Sequence, residues 1–277
     1  MSAQVIRTLV ALAGLACAVP VAAASENQCG VHAAEIVRKA YPTARPQLDN
    51  AFEVEGAALT IPAADGGTDD NPKTMMCRIW PARPELMLVA VPLMTRQADD
   101  FNEGDLELLV VDASSFDVKQ RFRREGLMGD DAFRITSLSF DTARYRLAPG
   151  KLAFGLRLTR YGSSRPNPFG ETALWLFSID DGHLRPVLDN ILVLENGGEW
   201  DTNCAGEFEA IERTLAMSPS KGDAMADILI TETVTTSVNT VDSKGECQRV
   251  DKTKTQKRRL RYKGSAYVVP QGLGRTD

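Results

Sequence analysis

The sequence predicts a mainly β fold of repeated antiparallel meanders, propeller-like or alternatively a β-sandwich, with one short N-terminal helix. Three observations predict it. From Met87 onward the chain is a series of short runs rich in branched and aromatic residues, such as "LMLVAVPLM", "DLELLVVD", "ITSLSFD", "AFGLRLTRY" and "DILITETVTTSV", each bounded by turn residues. The pattern strand, tight polar turn, strand recurs in "LELLVVDASSFDVKQRF", "ALWLFSIDDGHLRPVL" and "RRLRYKGSAYVVP". Ahead of each unit stands an apolar run able to pair as its inner neighbour, at residues 86–93, 152–161 and 228–238. Such recurrence, with an irregular period, is what propeller blades or an enlarged sandwich leave in a sequence.

The elements follow in order. Met1 and Arg7 precede "LVALAGLACAVPVAAA", residues 9–24, an apolar run that ends in small residues. This is the layout of a secretory signal peptide, with cleavage expected after Ala24. The run is shorter than the roughly 20 residues a membrane-crossing helix needs. Acylation of Cys17 as a lipoprotein is the weaker alternative, because Gly14 stands where a lipobox has leucine. Residues 25–277 are therefore expected in the periplasm or outside the cell, as a single disulfide-bonded β-rich domain and not as an integral membrane protein. The whole chain carries 32 basic and 37 acidic residues, and its leader removes one basic residue. That acidic balance argues against nucleic acid or an anionic membrane as a partner bound through bulk charge.

In "CGVHAAEIVRKAYP", Val31, Ala34, Ile36, Val37 and Ala40 recur at helical spacing, and Pro42 stops the helix. "FEVEGAALTIP" alternates like a strand. "AADGGTDDNPK" has no apolar anchor and reads as a loop, and its Asp65, Asp69 and Asp70 lack the order of a calcium loop. "CAGEFEAIERTLAMSP" fits either a helix or a strand. Residues 226–270 close the chain as a long hairpin and final strand. The returning strand carries Lys252, Lys254, Lys257, Arg258, Arg259, Arg261 and Lys263. A solvated outer strand whose lysines block edge pairing is the plain reading, and a surface for an anionic polymer or an acidic partner is the other.

Four cysteines lie beyond the leader, in two local pairs separated by a long gap. Export makes them disulfides, expected as Cys29–Cys77 and Cys204–Cys247. With two histidines and no CxxC, neither a metal site nor a cofactor is expected.

Chemistry is sparse. A Ser–His–Asp set would have to use His32 or His183, and no Gly-x-Ser-x-Gly elbow exists. "NGGEWD" offers Glu199 and Asp201 beside Trp200, the best pair of acids for a glycan-cleaving hydrolase, although an Asn-Gly-Gly turn before a packed tryptophan accounts for it equally. In "CRIWPARPE", Pro81 and Pro84 hold the backbone near extended form, so that Trp80, Arg83 and Glu85 are either presented rigidly or buttress the disulfide. In "GSSRPNPFGE", Pro166 and Pro168 stiffen a loop between two strands of the middle unit, and Gly170 allows positive φ. Its Arg165, Asn167, Phe169 and Glu171 are candidate binding residues. A closed plug, with Phe169 tucked under the sheet and Arg165 paired to Glu171, is the competing reading.

The stretches "CRIWPARPE", "LSFDTARYRLAPG", "YGSSRPNPFGE" and "GEWDTNCAGEFE" resemble landmarks of an uncharacterised family of exported proteobacterial proteins. The resemblance spans most of the chain beyond its leader and implies export and a shared fold. It implies no activity and carries no site residues. The preferred functional reading is an exported binding or interaction module that presents rigid Pro-rich loops to an envelope protein or a glycan. An envelope glycan hydrolase and a purely structural envelope protein are the alternatives.

Overall fold

The computed structural model describes residues 27–64, 71–219, 222 and 224–275. The expected leader with Cys17, and Asp65, Asp69 and Asp70, lie outside the described residues. A 3-10 turn (Gly30–His32) runs into helix α1 (Ala33–Ala40), whose Ala33, Ile36, Val37 and Ala40 are buried. The strands then build two sheets in which every ladder is antiparallel. The first sheet has β1 (Arg45–Pro46), β2 (Ala51–Val54), β3 (Ala57–Thr60), β4 (Met76–Ile79), β5 (Leu86–Gln97), β6 (Asn102–Asp112) and β7 (Val118–Arg124). Its order is β1-β2-β3-β5-β6-β7, with β4 also pairing β5. Along one side of β5, β4 pairs with Met87 to Ala90 and β3 with Met94. Pro92, which has no N–H to donate, sits between those two pairings.

The second sheet is a plain meander in chain order: β8 (Phe133–Ala148), β9 (Lys151–Gly162), β10 (Phe169–Asp180), β11 (His183–Trp200), β12 (Gly206–Met217), β13 (Ile228–Val241) and β14 (Cys247–Leu260). A small ladder, β15 (Tyr262–Lys263) with β16 (Ala266–Tyr267), follows it.

Side-chain alternation explains the layering. On β5, Val89 and Val91 join Ile36 and Val37 of α1 in one core, while Leu88 and Ala90 join a second core. On β6, Leu109 and Val111 take the helix side and Leu108 and Val110 the other. That second core is shared with Leu156 and Leu158 of β9 and Trp175 and Phe177 of β10, so the two sheets stack across it. The alternate residues of β10, Leu174 and Leu176, face a third core closed by Ile228, Ile230, Tyr267 and Leu273. Strands buried on both faces need apolar side chains at nearly every position, which is why "LMLVAVPLM" and "ALWLFSI" read as continuous runs.

The mainly β class holds. The layering is that of a sandwich: the meander units run on edge to edge in one hydrogen-bonded sheet, with β11 pairing β12 directly, and do not separate into radial blades. The first two units are the hairpins β6–β7 and β10–β11, and the third shrinks to the two-residue strands of β15–β16. "FEVEGAALTIP" is a hairpin, β2–β3, because Glu55 and Gly56 both take positive φ (52° and 86°) and turn the chain. "CAGEFEAIERTLAMSP" is strand β12. Disulfides join Cys29 to Cys77 and Cys204 to Cys247. Among the described residues, no helix is long and apolar enough to cross a membrane.

Candidate functional site

The loop at residues 163–168 joins β9 to β10. Ser163 to Asn167 are exposed, Pro168 and Phe169 are half-buried, and Gly170 is buried. Its course is fixed from two sides. The Trp200 N–H donates to the Pro166 carbonyl at 2.7 Å, and the Asn167 N–H donates to Ser164 Oγ at 3.2 Å. The Phe169 ring packs on Phe133, with centroids 4.6 Å apart. Gly170 is required for close approach and not for positive φ: a Cβ there would sit 2.8 Å from Asn196 Oδ1 and from the Tyr161 ring.

Residues 196–200 are strand, not a turn. Gly198 pairs with Phe208 of β12, and a Cβ on Gly198 would lie 2.5 Å from the Glu207 carbonyl and 2.6 Å from the Phe208 ring. The double glycine thus lets the aromatic ring lie against the strand beside it.

Two neighbouring hollows form here. One, of about 630 Å3, lies between the loop and strands β11 to β14. Tyr161, Arg165 and Pro168 border it with Trp200, Phe208, Ser237, Asn239 and Arg249, and the Cys204–Cys247 bridge forms part of its wall. Arg249 donates through Nη2 to Ser237 Oγ at 3.0 Å and through Nε to Asp251 at 2.7 Å. Asn239 Oδ1 is buried and accepts no hydrogen bond among the described residues. The other hollow, of about 1150 Å3, shares Asn196, Gly197, Trp200, Phe208, Glu209 and Ser237 with it and adds Asn167, Phe169 and the carboxylates of Glu195, Glu199 and Glu207.

The two acids suggested for glycan hydrolysis serve differently. Asp201 accepts the N–H groups of Asn203 at 2.9 Å and Cys204 at 2.8 Å, and these bonds hold its carboxyl below the ordinary carboxylate range. A general acid needs the opposite shift. Glu199 is exposed and pairs across the strands with Glu207.

Of the other sequence-predicted binding residues, the structure gathers Arg165, Asn167 and Phe169 around the two hollows and leaves the rest outside. Glu171 is buried, and it pairs with Arg275 at 3.3 Å and Arg160 at 3.9 Å instead of with Arg165. Strand register decides this, because Arg160 lies directly across from Glu171. Burial first, and the Glu195 carboxylate second, push its carboxyl up. Trp80 is only 1% exposed and stands edge-on to Phe154 in the inter-sheet core, so it is closed to a ligand. "PARPE" is not extended: Arg83 N–H to Trp80 O and Leu86 N–H to Arg83 O, both 2.9 Å, wind it into tight turns. Arg83 and Glu85 form an exposed ion pair at 3.0 Å and border neither hollow. Phe208, Ser237, Asn239 and Arg249 escaped sequence reading. The cysteine pairing was the available signal, since bridging Cys204 to Cys247 brings "GEWDTNC" beside "CQR".

Compared with models of protein families, with curated proteins and with solved structures, the chain finds no match.

Proposed function

We propose that this protein is an exported binding module that takes a neutral glycan in the hollow between the proline loop and strands β11 to β14. One observation carries the reading: aromatic rings (Trp200, Phe208, Tyr161) and planar amides (Asn196, Asn203, Asn239) border the same hollow. Sugar rings present apolar C–H faces to aromatics and hydroxyls to amides, and apolar walls with a few fixed polar groups are the usual make-up of a ligand site. Asn239 Oδ1, buried without a donor among the described residues, is an acceptor that a sugar hydroxyl can satisfy. The loop supports the same reading. Its two prolines and the bond from Trp200 hold it in place before a ligand arrives, which lowers the entropy lost on binding.

Two disulfides fit an oxidising compartment, and with the leader-like start they support cleavage after Ala24 and release to the periplasm or beyond. The resemblance to exported proteobacterial proteins points the same way.

The test is calorimetry against a panel of neutral envelope oligosaccharides. The expected result is saturable binding that weakens about tenfold in Trp200→Ala, the loss of one stacked ring, and is unchanged in Arg83→Ala. Absence of binding across the panel, or equal affinity in Trp200→Ala, overturns the reading.

A further inference from the structure

A third hollow, of about 640 Å3, shares no bordering residue with the two already described and is bordered by two arginines, Arg160 and Arg275, that share the single carboxylate of Glu171. Arg160 of β9 lies on it, with a side chain only 5% exposed. Its Nη2 makes two long bonds, to the Leu127 carbonyl at 3.4 Å and the Gly129 carbonyl at 3.3 Å. Its Nη1 is buried and makes no hydrogen bond among the described residues. The neighbouring carboxylates are shared with, or taken by, other groups. Glu171, 3.9 Å from that nitrogen, stands closer to Arg275. Asp130 is taken by Arg134 at 3.0 Å, by Asn102 at 2.5 Å and by the Ile135 N–H at 3.0 Å. A buried guanidinium with an unmet donor is costly, and an acceptor arriving from outside removes that cost.

The rim selects among anions. Asp100, Glu103 and Asp131 are exposed carboxylates around the mouth and outnumber Arg275, which borders it too, so the field repels a dianion such as phosphate and attracts a cation. Phe101 and Phe133 supply apolar surface on the same wall. We propose that this hollow binds a free amino acid with an apolar side chain, its carboxylate on Arg160 and its ammonium group toward the rim acids. This site stands independently of the glycan reading.

Calorimetry with the whole exported chain at low ionic strength tests it, using L-leucine, its deaminated acid isocaproate, its decarboxylated amine isoamylamine, and inorganic phosphate. L-Leucine is expected to bind at least tenfold more tightly than either single-charge analogue, with no heat from phosphate. Arg160→Gln is expected to weaken L-leucine at least tenfold. The exposed double change Glu103→Gln, Asp131→Asn is expected to bring L-leucine down to the affinity of isocaproate, and it decides alone should Arg160→Gln fail to fold. Absence of L-leucine binding, equal affinity for L-leucine and isocaproate in the unmodified protein, or an undiminished preference in the rim variant would overturn the proposal.

Discussion

The two seven-stranded sheets share one kind of ladder and differ in how they are covered. In the first, β5 and β6 lie between α1 and the second sheet, and Leu88 to Val91 and Leu108 to Val111 are at most 2% exposed. In the second, the same double burial holds for β9 and β10 and then fades. Every residue of β14 except Leu260 is exposed. Where apolar burial stops, charge takes over. Arg213 of β12 donates to Glu195 and Glu232 on the strands at either side, and Gln256 of β14 donates to the same Glu232. A sheet region without a covering layer is held by its ladder, its cross-strand pairs and a disulfide, and its faces stay open to a ligand. The two neighbouring hollows beside the proline loop lie there.

The largest effect expected from this comparison concerns the disulfides. They close loops of similar length, with separations of 48 and 43 residues, so each draws about 4 kcal/mol from chain entropy. Cys29 and Cys77 are also part of the core beneath α1, whereas Cys247 is exposed. Replacing Cys29 and Cys77 with alanine should cost more than the same change at Cys204 and Cys247, by about 1 kcal/mol of lost packing in urea denaturation. Equal losses would break the comparison.

Arg213→Ala comes next, at about 3 kcal/mol, because it takes the nearest cation from buried Glu232 and leaves it only Gln256 and the more distant Arg258, at 3.7 Å. The pH dependence of Glu232→Gln sharpens this. Burial opposes ionisation of Glu232, but hydrogen bonds from Arg213 and Gln256 outweigh it and hold the carboxyl below its ordinary value. A lowered folded-state pKa gives stability that is present above the unfolded value, about 4.3, and is lost as pH falls through the folded one. The variant should therefore be less stable than the parent at neutral pH, and thermal melts should converge as the solution is acidified below that range. Val250→Ala, on exposed β14, closes the series at within about 0.5 kcal/mol. A larger loss would mean that the open region is covered by something in solution.

Much of the layered half was legible in the sequence. Hairpin β10–β11 announced itself through Asp181 and Gly182, both at positive φ (50° and 73°), between two apolar runs. The open half was harder. β12 alternates half-buried and exposed residues without a clear apolar face, so "GEFEAIERTLAM" fits two periods at once. Arg160 was hidden for another reason. The second of two arginines in "LAFGLRLTRY" looks like an edge residue, and only counting back from the loop, where Gly170 meets Tyr161, places it opposite Glu171.

Strand β11 has 18 residues, about 60 Å of backbone at roughly 3.3 Å per residue. Its first half is clamped through Leu188 and Ile191 in the third core, and its far end carries Trp200. Between them the pairing with β10 slips by one residue near Val193. Mechanically the strand is a cantilever with a built-in crank. The crank sets the angle at which the aromatic end meets the proline loop, so a one-residue deletion there should swing the site away from its lip while the root stays seated.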